Sequence, residues 1–143
     1  KTKRKIFETS MRLFAEKGYD ATSIEEITAT VGVAKGTLYY HFSSKEEIFE
    51  FLVEEGVKLL KNSISIKTDK MQNSVDKLRA ITLIQIKVLF KYENFITIIL
   101  SQIWGNDEKS KLCKKYVFEY IQMIEEIVKE GIRKEEIMQG DSK

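Results

Sequence analysis

The sequence predicts an all-α protein, and three observations lead to that class. The 143 residues contain no proline and only seven glycines, so little interrupts a long helix. Apolar residues recur at helical spacing, as in Ile24, Ile27 and Val31. The β-branched run 95–100 could be read as a strand, but we prefer a helix because the chain offers it no partner strand. A helical bundle therefore accounts best for the pattern.

Composition is ordinary for a soluble globular protein. Hydrophobic residues make up 43% of the chain and charged residues 32%. The single cysteine, Cys113, cannot form an internal disulfide, which favours a reducing compartment. Neither a leader peptide nor an apolar run long enough to span a membrane is found in the sequence. We therefore expect a cytoplasmic protein without a membrane partner.

Two short helices around a tight turn are predicted within residues 22–45. Ser23 and Glu26 form a capping box that starts the first of them. Gly32 provides the turn, because glycine adopts a positive φ at little cost. The second helix follows over residues 35–41. This arrangement is typical of a helix-turn-helix, whose second helix enters the major groove of DNA.

The second of these helices carries side chains suited to nucleic acid. A cation, a hydroxyl, two phenols and an imidazole can reach phosphates or base edges: Lys35, Thr37, Tyr39, Tyr40 and His41. Leu38 and Phe42 are left to anchor the helix from below, and Gly36 allows close approach to a sugar-phosphate backbone. The alternative is a solvated helix between two core helices, and composition alone leaves both open.

Charge is distributed unevenly along the chain. Residues 1–45 hold eight basic against five acidic residues, whereas the remainder holds sixteen against seventeen. The basic excess therefore lies with the helix-turn-helix, as a polyanion-binding region requires. The basic residues at the start of the first helix, which covers about residues 2–17, can meet phosphates or form a solvated arm.

Three segments resemble the N-terminal signature of TetR-family transcriptional repressors. They are FAEKGYDATS at residues 14–23, GVAKGTLYYHF at residues 32–42 and SKEE at residues 44–47. The similarity is continuous over about residues 3–52. Ala34 departs from the pattern, because the family often has a serine there, and this change removes a helix cap.

The resemblance implies a DNA-contacting surface and a palindrome-binding homodimer. By matching position, the DNA-contacting residues are Ser23, Lys35, Gly36, Thr37, Tyr39, Tyr40, His41 and Lys45. Phosphate contacts are expected from Ser23, Lys35, Lys45 and the Tyr40 hydroxyl. Thr37 and Tyr39 are expected to read base edges.

A fourth helix is predicted to join the two parts of the chain. Ser44 caps it, and it runs to about Ile64. Lys45 in its first turn opposes the helix dipole, which a bound phosphate would explain. We expect residues 1–47 to form a helix-turn-helix domain and residues 48–143 to form a helical effector-binding and dimerisation domain.

The second half is predicted to be a helical bundle. Residues 63–74 are polar and aperiodic and mark the best boundary. Apolar residues then surround most of the helix at 75–90, which predicts burial on more than one face. A long amphipathic helix is expected over residues 107–132.

The end of the sequence predicts a join to further structure. Gly140, Asp141 and Ser142 can cap another helix. TetR-like proteins usually carry two more helices after this point, which form the four-helix interface of the dimer. We therefore expect the chain to lack those last dimerisation helices.

The second half of the chain carries large aromatic side chains and a flexible methionine on neighbouring helices, and these are candidates for an effector chamber. They are Phe90, Tyr92, Phe95, Trp104, Tyr116, Tyr120 and Met123. Aromatic residues at helical spacing can equally be plain core. The TetR resemblance favours a chamber, and because no unpaired charge lies among these residues, we expect an apolar or amphipathic ligand.

Enzyme chemistry is not expected. The single histidine, His41, lies in the DNA-facing helix, and Cys113 has no second histidine to activate it. Metal-ligand spacing, a Walker loop and a dinucleotide glycine pattern are all missing from the sequence. We therefore predict no catalytic residue, no metal and no cofactor.

The resulting hypothesis is a homodimeric repressor that binds a near-palindromic double-stranded operator and is released by a small effector. The alternative is a helix-turn-helix protein that takes no small effector and is regulated by a protein partner.

Overall fold

The computed structural model describes residues 1–137, which form seven helices. They are α1 (Thr2–Lys17), α2 (Ile24–Val31), α3 (Lys35–His41), α4 (Lys45–Thr68), α5 (Ser74–Lys91), α6 (Glu93–Gln102) and α7 (Glu108–Arg133). These residues contain no strand, so the all-α class is confirmed. The predicted cap at Gly140, Asp141 and Ser142 lies outside the described residues.

Local sequence signals set the ends of α2. The Ser23 hydroxyl accepts a hydrogen bond from the Glu26 backbone N–H at 3.1 Å, which satisfies one free donor at the helix start. The Glu26 carboxylate does not complete the capping box, because it pairs with Lys17 Nζ at 2.6 Å. Gly32 ends the helix in the left-handed region with φ 84°.

The fourth helix is longer than its sequence indicated. α4 continues to Thr68, so much of the boundary predicted at residues 63–74 is helical. Ile64 and Thr68 are buried there, and the Thr68 hydroxyl donates to the Ile64 carbonyl at 2.8 Å. Packing of these two positions against the neighbouring helices outweighs the polar residues between them.

One continuous apolar core runs from the helix-turn-helix into the later helices. Its members include Ile6, Phe14, Ile27, Leu38, Phe49, Val53, Phe95, Ile98 and Cys113. α4 contributes to this core from Ile48 to Val57 and packs against α1, α5, α6 and α7. The division between residues 1–47 and 48–143 remains a prediction, since α4 crosses it.

The predicted burial of the fifth helix on more than one face is wrong for the described residues. Only Ser74 and Ile81 of α5 are buried. Leu83, Leu89 and Phe90 are more than half exposed. α5 packs on α4, α6 and α7. None of the described residues covers its outer face. No helix among residues 1–137 is long and apolar enough to cross a membrane.

Candidate nucleic-acid interface

One side of the short helix α3 is anchored in the apolar core, and its other side is exposed to solvent. Leu38 and Phe42 are almost completely buried beneath it, as their spacing predicted. On the opposite side Tyr40 is 85% exposed and Tyr39 is 44% exposed. The Tyr40 ring lies edge-on to the imidazole of His41, with centroids 5.0 Å apart. Two phenols are therefore displayed on a helix that the core holds in place.

Open space surrounds the middle of α3. A Cβ built at Gly36 would meet no atom within 4 Å, so packing inside the protein does not require glycine there. Thr37 is half-buried beside it. The surface at Gly36 can therefore approach another molecule closely.

Lys35 is tied to the preceding helix. Its Nζ lies 2.5 Å from Glu25 Oε1, and both side chains are largely exposed. The hydrogen bond from Lys35 lowers the pKa of Glu25, and the same bond raises the pKa of Lys35. A phosphate arriving at α3 would compete with Glu25 for this ammonium group.

Lys45 makes contacts within the protein that its sequence position did not reveal. Its ammonium group donates to the carbonyl oxygens of Tyr19 at 2.9 Å and Thr22 at 3.1 Å. It also lies 4.2 Å from the centroid of the Tyr19 ring. These contacts explain a lysine at the start of α4 without a phosphate. Its assignment to DNA remains a prediction.

Tyr19 connects the helix-turn-helix to the start of α7. Lys109 of α7 approaches the Tyr19 ring at 4.6 Å, so this ring contacts two cations. The Tyr19 hydroxyl is buried and makes no hydrogen bond of ordinary geometry with a described residue, although the Glu46 carboxylate lies close to it. Burial raises the pKa of this phenol, because the charged form would be poorly solvated. The sequence alone did not indicate this contact, since Lys109 is remote from Tyr19 along the chain.

Replacing Tyr19 by phenylalanine should raise the free energy of unfolding by about 1 kcal/mol, because it removes a buried hydroxyl that lacks a partner. Urea denaturation followed by circular dichroism measures the change. Tyr40→Phe is the matched control, since that hydroxyl is exposed. A loss of stability in Tyr19→Phe would mean that the hydroxyl does have a partner, for which Glu46 is the neighbouring carboxylate.

The candidate effector residues do not form one group. Tyr92 and Phe95 line a groove of about 590 Å³. Tyr120 is half-buried and hydrogen-bonded to Gln85, and Tyr116 is half-buried near Glu54. The remaining three lie elsewhere: Phe90 is 84% exposed, Trp104 is 88% exposed, and Met123 lines a polar surface depression with Lys61 and Glu119.

Sequence reasoning missed that α1 forms one wall of the groove. Lys3, Phe7 and Met11 recur at a spacing of four, which places one basic and two apolar side chains along one helix face. That pattern could have indicated the wall. Among residues 1–137, no group of three histidine, cysteine or acidic side chains could hold a metal.

The helical fold and the exposed α3 define a protein of the helix-turn-helix class. The model of the family described as bacterial regulatory proteins, tetR family, matches residues 6–52. The chain belongs to this TetR family of transcriptional regulators.

Relatives and solved structures agree with this assignment. A Staphylococcus aureus relative, the biofilm operon icaADBC HTH-type negative transcriptional regulator IcaR, is 41% identical over 76 residues. That match covers 53% of this chain and 41% of the relative, so the matched stretch spans less than half of the relative's length.

Two solved structures share the fold over most of their length. One is a Clostridium perfringens protein described provisionally as a fatty acid metabolism regulator, with a TM-score of 0.89 and 34% identity, covering 96% of this chain and 74% of that one. The other is AibR in complex with isovaleryl coenzyme A and operator DNA, with a TM-score of 0.81 and 25% identity, covering 99% of this chain and 77% of that one.

Proposed function

We propose that the protein is a transcriptional repressor that binds a near-palindromic operator as a homodimer through α2 and α3. The observation that carries this proposal is α3 itself, which is anchored by Leu38 and Phe42 and presents Tyr39 and Tyr40 outward. IcaR, a negative HTH-type regulator, and AibR, solved with operator DNA, support it by similarity. On this proposal the protein acts in the cytoplasm and has no catalytic role.

A small apolar or amphipathic effector is proposed to release the protein from DNA. The support is a groove bounded by α1, α4, α5 and α6, together with the isovaleryl coenzyme A bound by AibR. Effector and operator would then each lower the affinity of the protein for the other by the same factor, because a single coupling free energy links the two sites.

The test is a footprint on the DNA upstream of the protein's own coding region. We expect two protected half-sites about one helical turn apart, roughly 10 base pairs between centres. A shuffled duplex of equal length and composition is the control. Equal affinity for the two duplexes would reject operator recognition.

Replacing Lys35 by alanine should weaken binding to every duplex by a similar factor. The loss of one phosphate contact should also reduce the slope of log affinity against log salt by about one unit. Fluorescence anisotropy at several salt concentrations measures both. Lys58→Ala, an exposed lysine of α4 outside the helix-turn-helix, is the control. An unchanged slope in Lys35→Ala would show that Lys35 makes no phosphate contact.

The second candidate function keeps DNA binding and replaces the small effector by a protein partner. The exposed apolar side chains of α5 favour it, since large exposed apolar patches mark interaction sites. Thermal unfolding in the presence of apolar compounds separates the two, because a bound ligand raises the melting temperature by mass action.

A further inference from the structure

The groove of about 590 Å³ lies between the DNA-binding part and the helices that follow it. Its volume falls in the range of about 300–1,000 Å³ typical of small-molecule sites. Apolar side chains from four helices form most of its wall: Phe7, Met11, Phe51, Leu60, Val88 and Phe95. A ligand in this groove would touch α1, α4, α5 and α6 at once.

The floor of the groove depends on a glycine. The Phe95 ring lies against the backbone of Gly56, where an added Cβ would overlap it. Along α4 the lining extends from Phe51 to Ser63, which is about 18 Å at the rise of an α-helix. The groove is thus long as well as apolar, and an extended chain fits it better than a compact ring system.

Three basic residues at the start of α1 line the groove, namely Lys1, Lys3 and Arg4, and the charged lining also includes Glu8 and Glu55. Arg4 pairs with Glu8 at 2.9 Å, and the pair is exposed to solvent. Lys3 forms no ion pair with a described residue. Its Nζ instead lies 4.6 Å from the Phe51 ring centroid and 5.3 Å from that of Phe42. A cation without a carboxylate partner at the mouth of an apolar groove suits an anionic head group.

We propose that this groove binds a linear alkyl chain with an anionic head group, the chain lying on α4 and the head group at Lys3. The inference rests on the proposed effector response and names the ligand class and the place of that effector. Phe42 is the residue that ends α3. A head group that draws Lys3 away from Phe42 would therefore act directly on the end of the DNA-facing helix.

Two ligands share this chemistry, a free fatty carboxylate and a fatty acyl thioester of coenzyme A. Calorimetric titration with dodecanoate and with dodecanoyl coenzyme A, each kept below its micelle concentration, distinguishes them. Binding of either supports the groove, and the tighter of the two identifies the head group. Failure of both to bind the wild-type protein overturns the proposal.

Filling the groove tests where the ligand lies. Ser63 lines it and is exposed, so Ser63→Trp should occupy the space without disturbing the core and weaken binding at least about tenfold. Asn62→Trp, exposed on the same helix and outside the lining, should bind like the wild type. Equal affinities of the two variants would place the ligand elsewhere and overturn the proposal.

Reversing charge tests the head group. Lys3→Glu should weaken dodecanoate binding by about tenfold, whereas Lys5→Glu, the same change two residues along α1 and outside the lining, should not. Dodecanol, which is neutral, should bind both variants equally. The assignment of Lys3 would be overturned if Lys3→Glu weakened the binding of dodecanol, or if it left the binding of dodecanoate unchanged. Operator affinity measured without amphiphile keeps a failure of this inference separate from a failure of DNA binding.

Discussion

Replacing Phe49 by alanine should lower the free energy of unfolding by about 3–5 kcal/mol, the largest effect that we expect from a single substitution. Phe49 is fully buried in α4. Its ring lies edge-on to Tyr19 at 5.4 Å and tilted against Phe14 at 6.5 Å. The change removes both aromatic contacts and leaves a cavity between α1 and α4.

Urea denaturation of Phe49→Ala, followed by circular dichroism, measures this loss. Glu50→Ala is the matched control, since it is the next residue of the same helix and is exposed. We expect the control to change stability by no more than about 0.5 kcal/mol. A loss below about 1 kcal/mol in Phe49→Ala would contradict the packing described for this cluster.

Replacing Tyr39 by alanine should weaken operator binding by about 1–3 kcal/mol and relax specificity at one position of each half-site. Tyr39 is half-exposed on the open side of α3, where a base edge can reach its ring and its hydroxyl. Because Tyr39 is not part of the buried core, the free energy of unfolding should change little.

Binding titrations with the operator and with single-base variants of it measure the effect. Tyr39→Phe separates the two parts of the side chain, since it keeps the ring and loses the hydrogen bond. Equal losses on operator and random duplex would show that Tyr39 contributes general affinity and reads no base.

Local signals in the sequence were sufficient to predict the short helices α2 and α3 in the first half of the fold. Ser23 and Gly32 set the two ends of α2 because a hydroxyl cap and a positive φ are properties of single residues. Leu38 and Phe42 anchor α3 as their spacing of four predicts. These features depend on neighbours within one turn, and a sequence shows such neighbours directly.

Features that depend on distant residues were not predictable. Apolar residues around α5 indicated burial, but burial also needs other helices on each side, and the described residues supply them on one side only. The end of α4 was misplaced because Ile64 and Thr68 are held by tertiary packing.

The candidate sites also contain features that local sequence predicts and features that depend on distant residues. The exposure of Tyr39 and Tyr40 on α3 followed from helical spacing. The contact of Lys45 with Tyr19 joins residues 26 positions apart, and no local pattern indicates it. The groove was predicted only in part. Tyr92 and Phe95 were effector candidates and line it, but its other walls come from helices that only the tertiary fold brings together.

Because the first half of α4 belongs to a core shared with α1, α6 and α7, we expect the two halves of the molecule to unfold as one cooperative unit. Heating should then give a single melting event, with the same midpoint by far- and near-ultraviolet circular dichroism. A compound that binds in the groove should delay the melting of α3 as well, although it would touch none of the side chains that we propose to contact DNA. DNA binding and effector response would then depend on the same free energy of unfolding, so a mutation that destabilises the shared core should weaken both.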